Sequence, residues 1–415
     1  MTEYTLTDES IVTFHTLYRG EEEDGLIPVG RQDITSYVSL PVEALEVIDL
    51  LDSGNTVGKV KEILEKKYGE EVEIEDFVED MISNEMVASV DGQDIPTISK
   101  VQKGLFTRIK SRHVSWMFSS PAWVVYAAMA VGSLVIFAGC PEYIPRPQDL
   151  FFHPWYSVAI IFMLFFSWIL VAIHELAHLF AAKAVGIEGN FSISNRLIFL
   201  VAQTNLGNIW IVSRKKRYIV YCAGIAWDVI SIFVCLLMLL LSDNGVILLP
   251  TLAYKFIKTV VFIKVWAVIW QFRFNMQTDI YYVISNFFKC GNLLSDAQTY
   301  IKNGLAQILP FIKRIDMTDT PEHEMKAIKV YAVFYFVGTL VTLAMFLLRT
   351  LPIVLIQVVR AFNGLTAGYA QDPTGFTDGI VLIVLNVFRY SLLGYVALKP
   401  RWKRITQRFR NIFGQ

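Results

Sequence analysis

Val171-Ala-Ile-His-Glu-Leu-Ala-His-Leu-Phe180 decides how the rest of the chain is read. It carries His174, Glu175 and His178 in the order H-E-x-x-H. On a helix, residues four apart stack on one face, so the two imidazoles can share a metal ion. Glu175 lies beside them, placed to take a proton from an attacking water. The pattern points to Zn²⁺ as cofactor, with Glu175 as general base. Its setting is apolar: Ser157 to Ile173 is almost free of polar side chains, and Leu179-Phe-Ala-Ala continues the run. Ionisable groups inside such a segment are costly and mark function more often than packing.

Composition agrees with a chain made for lipid. Of 415 residues, 54% are hydrophobic and 18% charged, and mean hydropathy is +0.45. A net charge of −1 gives no argument for a nucleic-acid partner. Cys140, Cys222, Cys235 and Cys290 have no C-x-x-C spacing, so neither a Cys-type zinc site nor a disulfide framework is indicated. Met1 to Glu23 is polar and acidic, so insertion is expected to use internal spans.

Six spans are expected. They run over 121–138, 155–182, 218–241, 252–272, 327–348 and 379–398. Basic residues at 100–112, at Arg214–Arg217, through 287–327 and in the tail all fall on one side if both termini are cytoplasmic. That topology makes the protein multi-pass in a bacterial or archaeal cell membrane, with its metal nearer the cytoplasmic leaflet. The 401–415 tail is basic and amphipathic, and is expected to lie on the inner leaflet of the bilayer. Lys255, Lys258 and Lys264 fall within the fourth span, either snorkelling or facing the protein interior. Between the second and third spans, 196–205 and 208–212 flank Leu206-Gly207 and predict a β-hairpin at the membrane surface.

Residues 1–98 read as a soluble domain, followed by a basic linker over 99–115. Val12-Thr-Phe-His-Thr-Leu-Tyr18 and Tyr37-Val-Ser-Leu alternate as strands. Pro41 opens a helix that Gly54 closes, Thr56 caps a second, and Phe77, Val78, Met81 and Ile82 lie on a third. Val87-Ala-Ser-Val90 closes the unit as a strand. This is a winged-helix order, but its helices are crowded with Glu and Asp, which disfavours DNA. The whole is an α-helical polytopic membrane protein with an N-terminal winged-helix-like α+β domain and a membrane-surface hairpin. Residues 116–286 form its core, 287–326 a cytoplasmic loop and 327–400 the C-terminal helices.

A catalytic zinc needs a third protein ligand and an open position. Asp228 in the third span and Asp279 after the fourth both qualify, and span geometry does not choose between them. Asp228 has a second role open to it, as partner of an intramembrane Lys or of the zinc-binding histidines. Asn275 is a candidate donor to a substrate carbonyl or its oxyanion, or a cap on a broken helix end.

The HELAH helix, a following hairpin and span, and Phe274-Asn-Met-Gln-Thr-Asp-Ile-Tyr-Tyr282 together resemble the site-2 protease group of intramembrane zinc metalloproteases. Tyr37 to Val90 resembles the PqqD-like peptide-recognition domain, which the peptide zinc metalloprotease branch of that group joins to the protease core. That branch carries F-N-x-x-x-x-D-G-Y-Y. Here the spacer is one residue shorter and Ile280 replaces the glycine. The resemblance implies that Asp279 is the third zinc ligand. It implies a peptide precursor or transmembrane-helix substrate cut near the cytoplasmic leaflet, with a leader peptide bound by the first domain. Three other functions fit the same residues: cleavage of a membrane-anchored regulator in signalling, a non-proteolytic peptide exporter, and a metal-binding receptor that cleaves nothing. Neither non-proteolytic reading needs Glu175.

Overall fold

The computed structural model describes residues 6–69, 72–99, 106, 108–150, 152–153, 156–196, 199–309, 313–318 and 320–413. Lys100 and Lys103 of the basic linker lie outside them. The chain is mostly helical with small sheets, and it divides into two compact units that do not follow chain order.

One unit comprises 1–116, 179–191 and 204–220. It opens with strands β1 (Val12–Phe14), β2 (Tyr18–Arg19), β3 (Leu26–Arg31) and β4 (Ser36–Pro41). Helices α1 (Val42–Asp52), α2 (Val57–Tyr68) and α3 (Ile74–Ser83) follow, then β5 (Val87–Val90) and β6 (Gln93–Asp94). β1, β5 and β6 form one antiparallel sheet and β2, β3 and β4 another. The helix boundaries obey local chemistry. Thr56 accepts from the Lys59 amide at the start of α2, and Gly69 ends α2 at φ +75°. Val12, Leu51, Val57, Val60, Ile74, Val78 and Met86 form the sealed centre of this fold. The first expected strand is split into β1 and β2. β3 is absent from the sequence reading because Pro28 and Gly30 interrupt it; Gly30 is required there, since a Cβ would strike the Ser36 carbonyl. A one-turn helix, α4 (Ser111–Val114), precedes the second unit.

The acidic turn after β2 has a definite partner. Glu23 accepts from the Arg214 amide at 3.0 Å and pairs with the Arg214 and Arg217 guanidiniums at 3.1 and 2.9 Å. Arg217 is buried, donates to the carbonyls of Val212 and Trp210, and lies over the Trp210 ring. These arginines, read from sequence as a topology marker, are thus held in an ion-pair network.

The second unit comprises 117–178, 192–203 and 221–415. Its helices are α5 (Ser120–Gly139), α6 (Tyr156–Ala184), α7 (Arg214–Asp243), α8 (Thr251–Trp270), α9 (Asp279–Phe287), α10 (Leu293–Leu305), α11 (Glu322–Met345), α12 (Leu351–Ala367) and α13 (Pro373–Phe413). Among the described residues, five helices are long and apolar enough to cross a membrane: those over 120–139, 157–184, 214–243, 322–348 and 373–396. The expected fourth span exists as α8, 20 residues long, but its three lysines keep it out of that set.

One expectation is corrected. The hairpin lies one strand earlier: β7 (Asn190–Arg196) pairs with β8 (Phe199–Asn205), and 207–211 is a 3-10 helix. Leu206-Gly207 therefore ends the hairpin instead of turning it. Between the expected fifth and sixth spans lies a further helix, α12, which packs along α13; Gly364 and Gly379 let the two backbones approach. Helix α13 runs unbroken for 41 residues to Phe413, through most of the basic tail.

Glu23→Ala should destabilise the chain by about 3–5 kcal/mol, because it strands the buried Arg217 charge. The loss is read as a lower thermal midpoint of the purified protein. An unchanged midpoint would show the network to be ornamental.

Candidate metal centre

The centre is assembled in the second unit from α6, α7, α8 and the start of α9. The i, i+4 spacing on α6 brings the imidazoles of His174 and His178 together, with their Nε2 atoms 3.3 Å apart. Asp279, at the first position of α9, brings Oδ2 to 3.1 Å from His174 Nε2 and 3.2 Å from His178 Nε2. Among the described residues these three form a group able to hold a metal ion.

The donor set fits a small tetrahedral cation on two grounds. First, an ion with bonds of about 2.0–2.1 Å places tetrahedral ligands roughly 3.3–3.4 Å apart. The three measured edges are 3.1, 3.2 and 3.3 Å. Second, the lone pairs need a cation. His174 Nδ1 lies 2.8 Å from Asp228 Oδ2, and Lys264 Nζ donates to Asp228 Oδ1 at 2.5 Å. With the carboxylate accepting at both oxygens, the imidazole proton belongs on Nδ1, which leaves Nε2 with a lone pair aimed at the Asp279 carboxylate. That approach is repulsive unless positive charge sits between them.

Asp228 is fully buried and serves His174 from behind the triangle. Lys264, 2% exposed, also donates to the Leu170 carbonyl at 3.0 Å. A buried ammonium, a buried carboxylate and an imidazole thus form one relay that fixes the His174 tautomer. Of the two acids left open by the sequence, Asp279 faces both Nε2 atoms and Asp228 faces Nδ1. Glu175 is buried next to the histidines on α6. The Asn275 amide is buried against α11: it lies 3.5 Å from the Thr342 hydroxyl, and Gly338 leaves it room.

No protein-family model matches the chain, and neither a curated protein nor a solved structure matches it. The geometry therefore carries the functional argument.

Three participants were not singled out from sequence for these positions. Gly224 is one: a Cβ there would lie 2.5 Å from His178 Nε2 and would also overlap His174. Its signal was its place four residues before Asp228 on α7, hence on the same face. Lys264 is one of the three span lysines that the sequence leaves open as partner of Asp228. Gln271 was missed; its amide Oε1 accepts from the Asp279 amide at 3.0 Å.

Gly224→Val should abolish stoichiometric metal binding while α7 still forms, measured as metal per chain beside the helical circular dichroism. Lys264→Met should weaken binding by roughly 10–100-fold, since it unbalances the carboxylate that orients His174.

Proposed function

We propose that this protein is an intramembrane zinc endopeptidase. The observation that carries the reading is the triangle of two imidazole nitrogens and one carboxylate oxygen, with edges of 3.1–3.3 Å, at one end of an apolar helix. Two nitrogens and one oxygen suit zinc, whereas magnesium and calcium take oxygen ligands. With three protein ligands, a fourth position is left for chemistry. His174, His178 and Asp279 would hold the ion. Bound there, it supplies Lewis acidity to the scissile carbonyl and acidifies the attacking water.

The chain's own groups do the remaining work. Glu175 takes the proton from the attacking water and passes it to the leaving amine. Asp228 and Lys264 keep His174 in the tautomer that leaves Nε2 free. Burial of His174, Glu175, His178, Asp228 and Lys264 strengthens each of these electrostatic contacts.

The substrate is an extended peptide: a peptide precursor, or a transmembrane helix unwound near the cytoplasmic leaflet. The β7–β8 hairpin supports this reading, because a two-stranded sheet offers edges to which a third strand can add. The N-terminal domain, with its two small sheets, is the arm that recognises a leader segment, and maturation of a ribosomally made peptide is the role that follows. Five apolar helices support a multi-pass membrane location, and α8, whose Lys264 is neutralised by Asp228, would complete a sixth crossing.

Two variants test the assignment. Asp279→Ala should lose the metal. Glu175→Gln should keep it and slow cleavage of a candidate peptide by at least about 10²-fold, the size expected for a general base. Full cleavage by Glu175→Gln would remove Glu175 as the general base, whereas a metal-loaded wild type that cleaves no peptide would remove the protease reading and leave a metal-binding membrane protein.

A further inference from the structure

Gln271 follows the last turn of α8, and Asp279 begins α9 eight residues later. Between them the chain passes through a 3-10 turn at 274–276 and a left-handed Gln277 at φ +51°. A ligand at the end of such a path needs something to hold it. Two hydrogen bonds close the loop onto Gln271. Its backbone carbonyl accepts from the Thr278 hydroxyl at 2.6 Å, and its side-chain Oε1 accepts from the Asp279 N–H at 3.0 Å. The second bond fixes which way the amide points. With Oε1 on the N–H, Nε2 is the other end, and it lies 3.4 Å from His174 Nε2. The whole residue is 9% exposed. One planar amide therefore touches two of the three candidate ligands, which arrive from elements 105 residues apart in sequence.

We propose that Gln271 is the positioning residue that sets the affinity of the metal triangle, by fixing the backbone of Asp279 against His174. The proposal rests on the metal reading of the site. Asp279 has to present one carboxylate oxygen to both imidazoles, and a free loop would spread that oxygen over several ångströms. The Oε1 acceptor anchors its amide, and the Thr278 bond anchors the preceding residue. The histidines are already fixed by α6 and by Asp228, so Gln271 completes the frame on the third side.

The test is metal affinity of the full-length protein, by chelator competition, with the visible spectrum of the cobalt(II)-loaded form as a second readout. Gln271→Met keeps the volume and removes the acceptor. It should bind about 10–100-fold more weakly, the usual cost of losing a group that orients a ligand. Its cobalt bands should shift as the carboxylate loosens. Gln271→Glu keeps an acceptor for the Asp279 N–H and should bind no more than about threefold more weakly than wild type, well within the cost of losing the anchor. If Gln271→Met is not recovered folded, Gln271→Asn, one methylene short, should show the same loss. Wild-type affinity and an unchanged cobalt spectrum in the Met or Asn variant would overturn the positioning role while leaving the metal site intact. A wild-type chain that binds no metal would overturn both.

Discussion

A carboxylate sealed from solvent needs a partner on each oxygen, and Asp228 has both: the Lys264 ammonium on one and the His174 Nδ1–H on the other. The rest of the centre depends on this arrangement. It makes a lysine tolerable in the middle of α8, it ties α7 to α8, and it decides which ring nitrogen of His174 carries the proton. A buried pair of this kind adds little net stability, since desolvation cancels most of the attraction. What it does supply is orientation, and an imidazole with a fixed lone pair is what a metal requires.

The same economy applies to the three candidate ligands. Two come from one helix, where the backbone repeat guarantees their spacing. The third comes from a segment that is neither long helix nor strand, and the burial of Gln271, Asn275 and Thr278 around it shows how much polar structure is needed to hold one aspartate in place. Thr342 and Gly338 on α11 receive Asn275, and the Tyr331 hydroxyl, also on α11, donates to the Phe274 carbonyl, so α11 braces the turn at two points.

Much of this was legible in the sequence wherever a short-range rule applied. His174 and His178 are read from a four-residue repeat, the helices of the N-terminal domain from Pro41, Thr56 and Gly54, and the apolar helices from their length. What escaped had a long-range cause. Residue type and span position leave Asp228 and Asp279 equivalent and only the resemblance chooses Asp279; the packing that sets Asp228 at His174 Nδ1 and Asp279 at both Nε2 atoms is long-range. The lysines of α8 look alike on paper, yet Lys264 is buried on Asp228 while Lys258 pairs with Asp149. The hairpin was placed one strand late because Asn208 to Val212 alternates like a strand, whereas in the fold it forms a 3-10 turn whose Asn208 accepts from the Tyr37 hydroxyl. β3 was hidden because proline and glycine mask a strand that pairs through six residues.

The glycine facing the two imidazoles also limits how α7 can move. A turn of about 100° about the helix axis would carry a neighbouring side chain, that of Ala223 or Ile225, into the gap that Gly224 now occupies. A slide of about one turn, roughly 5.4 Å, would bring the side chain of Val220 or Asp228 into it. Twisting and sliding are therefore blocked by sterics for as long as the histidines stay in place, and the freedom that remains to the helix is sideways withdrawal as a rigid rod.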